Sequence, residues 1–184
     1  MIEVRRLELD GVVELRPPRF GDERGFFSEV WNRQRMAELG FDIDFVQDNH
    51  SFSAAKGVLR GLHFQLPPAA QDKLVRVTRG AVFDVAVDLR TASPTFGRWT
   101  GLELSAELWN QLLVPRGFAH GFLTLTEDVE VQYKVSAPYS AQLERSVRYD
   151  DPDIGIEWPE VRIPLTVSQK DRDAPRLSAV ETGF

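Results

Sequence analysis

Arg60, His63 and Lys73 place three nitrogen-bearing side chains in one hairpin-sized stretch, Gly57-Val-Leu-Arg-Gly-Leu-His-Phe-Gln65 followed by Lys73. A lone histidine on a strand is more often a hydrogen-bonded core residue than a catalyst. Here its neighbours raise the case for chemistry, because burying such groups without an anion or a carboxylate partner is costly. The stretch therefore suits an anionic ligand or proton transfer. Strict alternation would put Arg60 and His63 on opposite faces of a flat strand, and Gly61 is where a bulge would reconcile them. His120, after Pro115-Arg-Gly-Phe-Ala, reads equally as a buried turn-stabilising histidine or as a second polar group of the same cavity. Tyr133 by itself reads as a core residue with one hydrogen-bond partner, and Asp171 as a helix cap. Gln47 and Asn49 carry amides suited to a base or sugar, and His50, next after Asn49, reads as structural. Arg24, beside Gly25 and two phenylalanines, is either a solvated residue of a hairpin turn or a phosphate contact next to rings that can stack on a base. In the second case Glu29 accepts a hydrogen bond. Glu144 and Arg145 fall in a polar stretch where surface ion pairs are the plain expectation. No nucleophile elbow, Walker loop or dinucleotide fingerprint occurs.

The elements that must position these residues are mostly strands. Short alternating segments bounded by Gly, Pro, Asp and Asn recur along the chain, and helical periodicity is scarce, which predicts an all-β sandwich or barrel. In Ala81-Val-Phe-Asp-Val-Ala-Val-Asp-Leu89, residues Phe83, Val85, Val87 and Leu89 form a core face, with Asp84 and Asp88 opposite. The preceding Leu74–Arg79 segment meets it at Gly80, which predicts a hairpin. Tyr133 alternates in phase with Val129, Val131 and Val135 and so points inward. A short helix is expected from an Asn32 cap through Met36 and Leu39 to Gly40, and a second from Ser168 to near Pro175. The Pro-rich stretch between Asp151 and Pro164 predicts an extended C-terminal wrap around the barrel.

The 184 residues suit one domain, 1–184, and 42% hydrophobic with 27% charged residues is the composition of a chain that folds unaided. A net charge of -6 made of mixed signs gives no basic stripe for nucleic acid. The absence of cysteine excludes disulfides and thiolate metal sites. The charged start carries no signal-peptide pattern, and no apolar run approaches the roughly 20 residues of a membrane span. A cytoplasmic protein without nucleic-acid or membrane partners is the expectation.

The site's order resembles a cupin jelly roll that has lost its metal. A metal cupin sets His-x-His, then Glu, then a third His after Pro-x-Gly around one ion. Here Gln65 takes the place of the second His and Lys73 that of the Glu, so a cation stands where a divalent ion would need an anion.

Assembled in order from Asp22 to Leu177, the motifs resemble the dTDP-4-dehydrorhamnose 3,5-epimerase family. Their carriers are Asp22-Glu-Arg-Gly-Phe-Phe-Ser-Glu29, Gln47-Asp-Asn-His-Ser51, Gly57 to Gln65, Lys73-Leu-Val-Arg76, Val114 to Phe122, Tyr133-Lys, Asp150-Asp-Pro152 and Ser168-Gln-Lys-Asp171. The resemblance implies a homodimer that exchanges N-terminal strands and uses no metal or other cofactor. Its substrate would be the nucleotide sugar dTDP-4-dehydro-6-deoxy-D-glucose, epimerised at carbons 3 and 5. It implies His63 as general base paired with Asp171, Tyr133 as opposing acid and Lys73 in the catalytic set. It implies Arg24, Glu29, Gln47, Asn49, Arg60, His120, Glu144 and Lys170 as the substrate-binding set. Inverting a carbon beside a ketone requires a base on one face, an acid on the other and a cation for the enolate, which these residue types supply. The rival readings are a single 3- or 5-epimerase, a metal-dependent cupin oxygenase and a non-catalytic nucleotide-sugar-binding cupin.

Overall fold

Alternating Val, Leu and Phe with polar residues drives most of the chain into short antiparallel strands. The structure, a computed structural model, describes residues 1–184. Strands β1 (Glu3–Arg6) and β2 (Val13–Arg16) precede a small hairpin of β3 (Phe20–Asp22) and β4 (Gly25–Phe27). Helix α1 (Arg33–Glu38) follows, with the Asn32 side chain accepting from the Arg35 N–H and Gly40 at φ +91° just beyond its end. Next come β5 (Gln47–Ser53), β6 (Val58–Gln65), β7 (Lys73–Arg79), β8 (Ala81–Asp88) and β9 (Trp99–Ser105). The chain continues through β10 (Gln111–Val114), β11 (Phe118–Thr124), β12 (Val129–Val135), β13 (Glu144–Ser146) and β14 (Thr166–Val167) to helix α2 (Gln169–Arg172). No helix is long and apolar enough to cross a membrane.

One sheet has the order β1-β2-β10-β7-β12-β5, and a second has β13-β6-β11-β8-β9 with β14 parallel to β6. The main core lies between them, joining Val75, Val77, Leu112, Val129 and Val131 of the first sheet to Val82, Ala86, Leu104, Phe118 and Phe122 of the second. Two antiparallel sheets packed face to face over a shared apolar interior form the sandwich expected from the alternation pattern, of the jelly-roll kind that the resemblance implies.

Two expectations are corrected. Strands β7 and β8 do not form a hairpin: β7 pairs with β10 and β12 in one sheet, while β8 pairs with β9 and β11 in the other. Gly80 is the corner between sheets, at φ +75°, where an added Cβ would lie 2.5 Å from Thr126 Oγ1. One residue is too short a loop for a tight hairpin but long enough to turn the chain across the sandwich. Nor is only one face of β8 core. Val82 and Ala86 pack between the sheets, while Val85, Val87 and Leu89 pack outward under Val147, Ile154 and Leu177 of the C-terminal segment. Asp84 and Asp88, expected on the polar face, are therefore fully buried. Asp88 meets that cost by accepting from Arg90, Ser93 and Thr95, which ties down the loop after β8.

Gly61 resolves the Arg60–His63 conflict. In the β6–β11 ladder His63 faces His120 and Arg60 faces Phe122, so Gly61 and Leu62 together oppose Gly121 alone. The extra residue is a bulge, and it turns both Arg60 and His63 toward one cavity. At φ +129°, a Cβ on Gly61 would sit 2.5 Å from Gly121 Cα and 2.9 Å from the His120 carbonyl oxygen. Gly61→Ala is expected to destabilise the fold by on the order of 3 kcal/mol, checked by urea denaturation. An unchanged midpoint would show that the bulge tolerates a side chain.

Candidate active site

A cavity of about 550 Å³ opens between the sheets, and its walls come from both. Strand β6 brings Arg60 and His63 and β11 brings His120, while β7 and β12 of the facing sheet bring Lys73 and Tyr133 to the same cavity. Helix α2 delivers Lys170 and Asp171, and Gln47, Asn49 and Glu144 complete the polar lining.

Asp171 owes its place to the helix start. The Ser168 side chain caps α2 by accepting from the Asp171 N–H at 3.1 Å, which leaves the Asp171 carboxylate free to turn inward. Only half of a capping box forms, because that carboxylate instead meets His63 Nε2 at 2.6 Å and the Gly61 N–H at 3.5 Å. Burial opposes ionisation of Asp171, but the hydrogen bonds from His63, Ser168 and Gly61 prevail and hold its carboxyl below the ordinary range. An Asp171 carboxylate favours a proton on Nε2 of the imidazole and leaves Nδ1 turned from that bond.

Lys73 is buried, and its Nζ donates to the His63 carbonyl oxygen at 3.2 Å. Loss of hydration pushes its ammonium down to about 8, against the weaker pull of Asp84 and Glu144. A second buried pair stands beside it, His120 Nε2 with Asp84 Oδ1 at 2.8 Å. The other Asp84 oxygen is buried without a hydrogen-bond partner. Burial raises the Tyr133 phenol above its ordinary value, with Arg60 pulling it down and Glu144 adding to the rise. A phenol held protonated can give a proton to a carbanion. Arg60 is oriented by the Ser53 hydroxyl and the Phe52 carbonyl. At the mouth, Glu144 Oε2 accepts from Lys170 Nζ at 2.5 Å and from the Tyr139 hydroxyl at 3.0 Å. Burial opposes its ionisation too, and the two donors hold it below the ordinary carboxylate range.

Two expected site residues are not brought to this cavity. Arg24 lies on the β3–β4 hairpin, exposed and paired with Asp22, and Glu29 pairs with Arg35 at 3.0 Å. The hairpin makes its hydrogen bonds within itself and projects from the fold, so within one chain neither side chain reaches His63. Gln47 does line the cavity, but its amide is occupied by Asn49 and the Tyr139 N–H. Sequence reasoning missed Asp84, Gln71 and Tyr139. A carboxylate between Phe83 and Val85 in an apolar run was a signal, since such a group needs a buried partner. Nothing local marked Gln71 or Tyr139. No group of three or more His, Cys, Asp and Glu side chains converges to hold a metal ion.

Comparison with known proteins fits this geometry. The family model described as dTDP-4-dehydrorhamnose 3,5-epimerase matches residues 6–179. The chain belongs to this family. It is 52% identical over 178 residues to the dTDP-4-dehydrorhamnose 3,5-epimerase of Sinorhizobium fredii, covering 97% of this chain and 91% of that protein. The Escherichia coli 3,5-epimerase is 50% identical over 171 residues, covering 92% and 91%. Among solved structures, the Legionella pneumophila epimerase, in complex with dTDP-4-keto-L-rhamnose, superposes with a TM-score of 0.94. It shares 43% identity and covers 98% of this chain and 95% of its own. A 3'-monoepimerase from Streptomyces bikiniensis superposes at 0.87, with 36% identity and coverage of 94% and 86%.

The buried lysine of this epimerase-family site has a measurable cost. In the unfolded chain its ammonium keeps its proton up to about 10.5, and in the fold only to about 8. Below pH 8 it is charged in both states and the burial penalty is fully present. Between those values the unfolded chain binds more protons, so stability rises with pH. Lys73→Met is expected to be more stable than the parent at pH 7 by on the order of 3 kcal/mol, at about 1.4 kcal/mol per pH unit of displacement. The advantage should shrink as pH rises through 8 toward 10.5, read by urea denaturation across that range. A variant less stable than the parent at pH 7 would mean that the ammonium is well compensated in the empty cavity.

Proposed function

We propose that this chain inverts carbons 3 and 5 of dTDP-4-dehydro-6-deoxy-D-glucose, giving dTDP-4-dehydro-L-rhamnose. The observation that carries the reading is that the Asp171-paired His63 of one sheet and Tyr133 of the other line one cavity, with the buried Lys73 ammonium on the His63 carbonyl. The names of the family and its relatives support the same reaction, and the ligand bound to the Legionella protein is its proposed product.

The 4-keto group acidifies the hydrogens on both neighbouring carbons. His63 Nδ1 takes one of them, and the electrons move into the carbonyl to give an enolate. Lys73 and Arg60 stabilise the enolate oxygen, an effect that depends on donors placed in advance in a site of low dielectric. Tyr133 then returns a proton to the opposite face and the configuration inverts. Asp171 holds the imidazole tautomer and offsets the charge it gains. Acid–base catalysis of this kind supplies roughly a hundred- to ten-thousand-fold. Asn49, His120, Glu144 and Lys170 are assigned to holding the sugar and diphosphate.

The active form in this reading is a cytoplasmic homodimer. Strand β1 is exposed along its length, and the β3–β4 hairpin presents Phe20, Phe26 and Phe27 with Arg24 to solvent. Those features support a neighbouring subunit that receives them, with Arg24 and Glu29 completing the neighbour's cavity. A single 3- or 5-epimerase is the second reading, since the Streptomyces 3'-monoepimerase shares the fold.

Incubation with the proposed substrate in deuterated water, followed by NMR, should show deuterium at carbons 3 and 5 for the parent and at neither for His63→Ala. Exchange retained in His63→Ala would remove His63 as base. Tyr133→Phe should lose most product while keeping part of the exchange, because the base face is intact. Incorporation at one carbon alone in the parent would favour the single epimerase. A separate expectation concerns pH: kcat/KM should fall as pH climbs through about 8, where Lys73 gives up its proton in the free enzyme. A profile flat to pH 10 would show that no lysine cation is required.

A further inference from the structure

One backbone group from each of four consecutive residues in the turn between β12 and β13 is gripped by glutamine side chains from separate parts of the fold. Gln71 Nε2 donates to the Ala137 carbonyl at 2.8 Å, and Gln65 Nε2 donates to the Pro138 carbonyl at 3.2 Å. The Tyr139 N–H donates to Gln47 Oε1 at 3.0 Å and the Ser140 N–H to Gln65 Oε1 at 2.6 Å. Gln65 spends its other amide proton on the Ala69 carbonyl at 2.7 Å. It is the buried hub of the arrangement. Only a primary amide can donate to two carbonyls and accept from an N–H at once; a carboxylate has no donor and a thioether almost nothing to offer.

The turn contains little regular structure, and such segments open easily unless their backbone groups are held. What it carries is Tyr139, whose ring lines the mouth of the cavity and whose hydroxyl donates to the Glu144 oxygen that also accepts from Lys170. Glu144 itself faces Gln65 in the β13–β6 ladder, so one residue braces both ends of this polar rim.

We propose that Gln65 is a positioning residue which, through the 137–140 turn, fixes Tyr139 and Glu144 for nucleotide-sugar binding; this rests on the function proposed above. The Gln65 side chain makes no hydrogen bond to His63, Tyr133 or Asp171. Its effect should therefore fall on binding and leave proton transfer in place.

The test is Gln65→Met. KM for the nucleotide sugar should rise about tenfold or more, with kcat within about threefold of the parent, as expected for lost binding interactions outside the reacting centre. Tyr139→Ala should raise KM similarly, and the double variant should be little worse than either single one. Amide exchange read by NMR on the ligand-free protein supplies a measure that does not depend on turnover. The Ser140 N–H should be protected in the parent and exchange at least about tenfold faster in Gln65→Met. Unchanged KM, a fall in kcat alone, additive effects with Tyr139→Ala, or an unprotected Ser140 amide in the parent would each overturn the proposal. A parent that neither exchanges deuterium nor turns over would instead sink the functional reading, while the Ser140 measurement would still judge the clamp. If Gln65→Met does not fold, Gln71→Leu removes one bond to the same turn. It should raise KM about threefold with kcat held, and an unchanged KM there would count against the clamp.

Discussion

A lysine ammonium buried between two β-sheets, with a backbone carbonyl as its hydrogen-bond partner, is the constraint around which this molecule is organised. A cation in that position is costly, and burial lowers its hold on its proton to about 8. The surrounding charges moderate the cost and do not cancel it. Asp84 acts without a hydrogen bond to the lysine while one of its oxygens is committed to His120, and Glu144 is committed to Lys170 and Tyr139. What remains is a cavity whose electrostatics favour an arriving or developing negative charge, the property that enolate chemistry requires.

Around that lysine, other buried charges are paired with opposite ones. Asp171 is tied to His63 across 108 positions of sequence, and Asp84 to His120 across 36. Asp88, equally buried, has a guanidinium and two hydroxyls and takes no part in the cavity. Paired groups hold orientation and protonation state, and the unpaired lysine is left responsive. The bulge at Gly61 joins these roles mechanically. It turns Arg60 and His63 to one side and brings the His63 and His120 strands into register, and its own N–H faces Asp171.

The rim obeys a different rule from the interior. Inside, charge is fixed by strands whose ladders are complete; at the mouth, the turn bearing Tyr139 has no ladder and is held by amide side chains instead. Gln65 is a structural brace there, fastening the rim through two carbonyls and one N–H.

Sequence alone determined the strand-dominated architecture, the Asn32 and Ser168 caps, the inward direction of Tyr133 and the set of motifs that mark the family. Those signals are local: alternation, capping chemistry and the order of residues along a strand survive without knowledge of what packs where. Tertiary structure alone decided that β7 and β8 part company at Gly80, that both faces of β8 are covered, and that Arg24 and Glu29 stand away from the cavity of their own chain. It alone paired Asp84 with His120 and gave Gln47, Gln65 and Gln71 a common turn to hold. Alternation defines two faces of a strand but is silent on what covers each, and hydrogen bonds spanning dozens of residues depend on sheet order, which local pattern does not encode.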